Sequence, residues 1–137
     1  VQPFVALARG LVKNHGCEVT LVTELRWKHF IKDARQDLQE GERQRLRFRP
    51  SGGNTMLRVS SGWGAWALDL GQRSDELQAI MLSKSEAEFF PSEGCFYHWA
   101  YAENPTFIVF GFTVTHVAMI VSEALRIPIV GFILQPK

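Results

Sequence analysis

The residues that could do chemistry are few and scattered. The 137-residue chain carries four histidines, His15, His29, His98 and His116, and two cysteines, Cys17 and Cys95. The histidines show no metal-ligand spacing, and neither a Ser/His/Asp nor a Cys/His set can be argued from position. Cys17 borders an apolar run, where a reduced core thiol is the plainer reading. Arg43 to Pro50, RQRLRFRP, alternates arginine with Leu46 and Phe48. Those arginines could hold a phosphate, but the solvated face of an edge strand fits them better. Ser51-Gly52-Gly53-Asn54 is a turn by composition, and a glycine loop after a strand can also present backbone N–H groups to a ligand. Neither G-x-x-x-x-G-K-[ST] nor G-x-G-x-x-G occurs. Trp63 and Trp66 stand apart because a glycine flanks Trp63 on each side, which disfavours a core helix there. As a pair they suit an apolar ligand pocket, although aromatic packing in the core is the ordinary alternative.

Composition sets the frame in which such residues must work. The length fits one domain with a real core. Hydrophobic residues make up 46% and charged residues 21%, as in an ordinary globular chain. A net charge of +1 gives no electrostatic case for a nucleic-acid partner. No apolar run approaches the roughly 20 residues of a membrane span, and no signal peptide is visible, so the cytoplasm is the expected location.

The elements that position these residues follow from periodicity. Val1 to Thr23 reads as an amphipathic helix, a stop and a strand. Pro3 suits a first turn, Phe4, Leu7, Ala8, Leu11 and Val12 recur on one face, and Gly16 suits the left-handed residue after the last turn. Val19, Leu21 and Val22 form a β-rich run. Residues 26–39 predict a second helix, with Trp27, Phe30, Ile31, Ala34 and Leu38 inward and Glu40-Gly41-Glu42 closing it. A stretch of irregular helices is expected next, with a helix from about Ser74 to Phe89 and an aromatic-rich tail of Phe89, Phe90, Phe96, Tyr97, Trp99 and Tyr101 around Pro91 and Gly94. Asn104-Pro105 breaks the chain. Thr106 to Gly111 and Ile129 to Leu134 read as strands buried on both faces. Between them Thr113 or Thr115 caps a helix to about Leu125, with Val117, Ile120, Val121 and Leu125 inward. Arg126-Ile127-Pro128 ends it. The order predicts an α/β fold, a Rossmann-like doubly wound parallel sheet of at least four strands spanning 1–137. In such sheets ligands sit outside the carboxyl ends of the strands, which places His116 at a helix start facing the cleft. A lone histidine there is more often a hydrogen-bonded structural residue than a ligand.

Three stretches carry a resemblance. VQPFVALARGLVKNHGCEVTLVT resembles the opening of two-domain GT-B glycosyltransferases, in particular the sterol and lipid glucosyltransferase branch, where V-Q-P-F-V-A-L leads into a helix ending in G-H-x-V-T. Here His15 and Gly16 stand in reversed order. Phe48 to Asn54 is similar to the F-x-P-L-G-G-D loop of that branch. His116-Val117-Ala118 through Glu123-Ala124-Leu125-Arg126-Ile127-Pro128 is similar to H-I-A-E-x-L-G-I-P, with extra residues between Ala118 and Glu123. Residues 55–100 match poorly.

The resemblance implies an N-terminal, acceptor-side domain whose first strand precedes Val1 and whose C-terminal donor domain follows Lys137. It implies inverting transfer of glucose from UDP-glucose, as donor substrate rather than resident cofactor, to a sterol or other lipid hydroxyl. The base would be the acidic residue directly before V-Q-P-F, outside residues 1–137, and no catalytic residue or metal ligand is assigned within them. Acceptor contacts would fall to Gln2, Thr115 and His116, joined by Trp63 and Trp66. A lipid acceptor adds peripheral membrane contact to the expected partners. In the usual strand order the first strand is central, so its neighbours would lose backbone partners without it, and the chain alone should be inactive. Two alternatives stay open: a non-catalytic lipid-binding remnant, and another Rossmann-type enzyme such as an oxidoreductase, in which Glu24 could hold a ribose.

Overall fold

A computed structural model describes residues 1–52 and 93–132. The chain divides into two compact units, Val1–Ser92 and Glu93–Lys137. The fold class is mixed α/β with short parallel sheets. Among the described residues the strands form two sheets of two strands each, where one sheet of at least four strands was expected. The Ser74–Phe89 helix, Trp63 and Trp66 lie outside the described residues.

In the first unit α1 runs Gln2–His15, with Pro3 in its first turn. Gly16 ends it at φ 64°, and its N–H donates to Val12 O at 3.1 Å. That left-handed backbone is where glycine escapes the Cβ penalty other residues meet. The buried line of α1 is Val5, Ala8 and Val12. Phe4, Leu7 and Leu11, expected inward, flank it half-buried. Ala8 and Val12 pack with Leu38 and Leu46, and Val19 and Leu21 close over this cluster. It is the core of the unit.

β1, Val19–Thr23, pairs in parallel with β2, Leu46–Pro50, in register Val19 to Leu46 and Thr23 to Pro50. Parallel neighbours need a crossover between them, here a 3₁₀ turn at Leu25–Trp27, α2 at Lys28–Ala34 and α3 at Glu40–Arg45. Two expectations are corrected. The single helix over 26–39 is a 3₁₀ turn and a shorter helix, with Leu38 buried in the turn beyond it. Glu40-Gly41-Glu42 opens a helix instead of closing one, and Arg43–Arg45 belong to that helix, so the strand starts only at Leu46. The start of α3 explains this. The Gln39 backbone N–H donates to the Glu42 carboxylate at 2.9 Å, a helix-opening contact, and Glu40 and Glu42 lie at the positive end of the helix dipole.

In the second unit α4 covers residues 93–103. The described part of the aromatic-rich tail is therefore helical. Phe96 and Trp99 turn to its half-buried side, whereas Tyr97 and Tyr101 stack on the exposed side at 6.4 Å between ring centres. Asn104 ends the helix at φ 43°, and its N–H donates to Ala100 O at 3.1 Å. β3, Ile108–Phe110, pairs in parallel with β4, Ile129–Gly131. α5, Thr115–Leu125, connects them and packs on both strands. Its buried residues are Val117, Ala118 and Val121, while Ile120, expected inward, is 54% exposed. Burial of β3 and β4 on both faces is also corrected: β3 is half-buried throughout, and Val130 of β4 is 51% exposed.

The end of α5 is unusual in its residue type. Arg126 takes φ 57°, ψ 37°, the left-handed conformation that costs an L side chain about 1–2 kcal/mol. Ser122 offsets this by closing on Ile127 twice. Its hydroxyl donates to Ile127 O at 2.7 Å, and its carbonyl accepts from Ile127 N at 3.2 Å.

Two outcomes test this packing. Leu46→Ala, at a site with no exposed surface, should destabilise the protein by about 2–5 kcal/mol in urea unfolding followed by far-UV dichroism. A negligible loss would remove Leu46 from the core. Arg126→Gly should raise stability by about 1 kcal/mol, because the left-handed conformation is free for glycine. Lower stability in that variant would show that the arginine side chain outweighs the backbone cost.

Candidate functional site

The residues following the carboxyl ends of the parallel strands are the natural place to look. In the first unit β1 ends at Thr23 and β2 at Pro50. Proline has no backbone donor, and the ladder is continued by the next residue: Ser51 N donates to Thr23 O at 2.9 Å. Ser51 is 4% exposed, its hydroxyl donates to Gly52 O at 3.3 Å, and Gly52 turns the chain at φ 72°. The Ser51 hydroxyl is thus engaged by its own segment. Glu24, just beyond β1, meets the Arg26 guanidinium at 2.7 Å, and that guanidinium also lies 4.9 Å from the centre of the Trp27 ring. The Glu24 side chain is only 18% exposed. Its carboxylate is engaged by an arginine of its own segment, which is a structural use of the residue.

The arginines of RQRLRFRP have local employment. Arg43 Nε donates to Leu38 O at 2.7 Å, and its Nη2 donates to Gln36 O. Arg35 in turn donates to Arg43 O. One guanidinium fork thereby ties down the turn between α2 and α3, the break that periodicity could not show. Arg47 pairs with Glu18. The Arg45 guanidinium lies beside Gly16, where a Cβ would come within 3.3 Å of Nη1. A cation there complements the negative end of α1, as do Lys13 and His15 in its last turn. Arg9, from α1, reaches Asp37 in the same turn at 3.1 Å.

In the second unit the chain leaves β3 through Gly111 and a 3₁₀ turn at Phe112–Val114, then enters α5 with Thr115 and His116. The Thr115 hydroxyl donates to Phe112 O at 2.7 Å, tying the two helical segments together. His116 Nε2 stands 3.8 Å from Glu93 Oε1. That is an ion pair when the imidazole is protonated, and it lies beyond hydrogen-bond range. The imidazole is 57% exposed and the carboxylate 24%. Glu93 is the first described residue of α4, so the pair joins α4 to the first turn of α5. Sequence reading did not find Glu93, and no spacing rule could have done so, because the contact depends on how α4 packs with α5.

Of the expected acceptor residues, Thr115 and His116 are neighbours at this helix start. Gln2 is exposed in the first turn of α1, in the other unit. Trp63 and Trp66 lie outside the described residues. An open groove of about 490 Å³ is lined by Ala100, Tyr101, Ala102, Asn104, Leu125 and Ile127. Asn104 and Ile127 precede β3 and β4, so the groove belongs to the amino ends of those strands, opposite the end where His116 stands. Among the described residues no helix is long and apolar enough to cross a membrane.

No family model, no curated protein and no solved structure matches the chain.

The arginine fork has a direct test. Arg43→Lys keeps the charge but loses the planar fork that spans two carbonyls, and should cost about 1–3 kcal/mol in thermal unfolding. Amide shifts concentrated at residues 35–39 should accompany the loss. A variant as stable as the parent would mean that the turn holds itself.

Proposed function

We propose that the chain is the acceptor-side part of a nucleotide-sugar-dependent glycosyltransferase that glucosylates a sterol or other lipid hydroxyl with inversion. One topological observation supports the reading. Doubly wound sheets place their strands in the order 3-2-1-4-5-6, with strand 1 between 2 and 4. Withdrawing strand 1 leaves the pairs 3-2 and 4-5, both parallel. The described strands make two parallel pairs, β2 with β1 and β4 with β3, which is compatible with such a pairing.

The ladder shows which residues of each pair face away from their described neighbour. Thr23 O accepts from Ser51 N, so Thr23, Leu21 and Val19 direct their backbone groups towards β2. Thr20 and Val22 therefore direct theirs to the opposite edge. Ile108 N donates to Pro128 O and Phe110 O accepts from Phe132 N, so Val109 likewise faces away from β4. In this reading a strand preceding V-Q-P-F pairs with the β1 edge at Thr20 and Val22 and delivers an acidic residue at its carboxyl end. That carboxylate takes the acceptor proton as the hydroxyl attacks the anomeric carbon and the nucleotide diphosphate leaves with the bond pair. His116 and Thr115 follow the carboxyl end of β3 and, in this reading, hold the acceptor. His116 contributes an accessible imidazole that can donate or accept a hydrogen bond. Gln2, Trp63 and Trp66 complete the proposed acceptor contacts.

The reading is tested with the product of the complete reading frame, UDP-glucose and a sterol. Glucose transfer is expected, and His116→Ala should lower kcat/KM by about tenfold or more, whereas residues 1–137 alone should transfer nothing. Sterol retention without transfer would favour the non-catalytic lipid binder. Amide exchange reads the β1 edge separately: Thr20 and Val22 should exchange fast in residues 1–137 and become protected in the longer product. Equal exchange in both would remove the central-strand reading whatever the activity.

A further inference from the structure

We draw no further inference here: the strongest candidate, the exposed face of α4 that stacks Tyr97 on Tyr101 beside the open groove at Asn104, is an apolar surface and nothing in the structure shows what covers it.

Discussion

The burial of one helix against one parallel strand pair organises the first unit. Ala8 and Val12 of α1 meet Leu46 of β2 and Leu38 of the connecting turn, with Val19 and Leu21 of β1 at the margin. A two-stranded parallel sheet has little standing alone, since its strands share no hairpin and its ladder is short. Covering one face with α1 supplies the apolar burial that the ladder lacks. The small side chain of Ala8 lets the helix approach closely, and Val12 fills the space behind it. The crossover is then constrained to return Leu46 to the same cluster. The fork of Arg43 in the turn before α3 serves that return, because it fixes the carbonyls of Gln36 and Leu38 two turns of chain ahead of the strand.

Much of this was legible in the sequence, and the failures have physical causes. Pro3 and Gly16 bracketed α1 correctly because both act through their own backbone. Asn104-Pro105 and Arg126-Ile127-Pro128 marked real chain reversals for the same reason. The helix over 26–39 went wrong because its break carries neither glycine nor proline. It is made by Arg43, an arginine that periodicity assigns to a strand. Arg43–Arg45 show the same limit from the other side. Alternation of arginine with leucine and phenylalanine looks extended, but Glu40 and Glu42 start a helix whose last turn reaches Arg45. Ile120 was placed inward and Ala118 was not, since hydrophobicity alone cannot choose between neighbouring stripes of an apolar helix.

The candidate site was legible in part. Thr115 and His116 could be placed after a strand and at a helix start from the apolar run and the polar residues that follow it. The pairing of His116 with Glu93 could not, because it joins two helices through tertiary packing. The strands themselves were found, but their burial was overestimated. A continuous apolar run predicts cover on both faces, and Val130 at 51% exposure shows that cover is incomplete. The same half-buried character appears in all of β1, whose residues are intermediate in exposure throughout.

The closed end of α5 bears on the order in which the second unit forms. Ser122 and Ile127 bond to each other through both a hydroxyl and a backbone amide, and they are near neighbours in sequence. Closing so short a loop costs little chain entropy, whereas bringing Ile108 to Ile129 requires closing the whole helical connection. The locked reversal can therefore form first and point Pro128 and Ile129 back along the helix. The left-handed backbone at Arg126 is then the local cost of a short-range closure that sets the direction in which the chain leaves the helix.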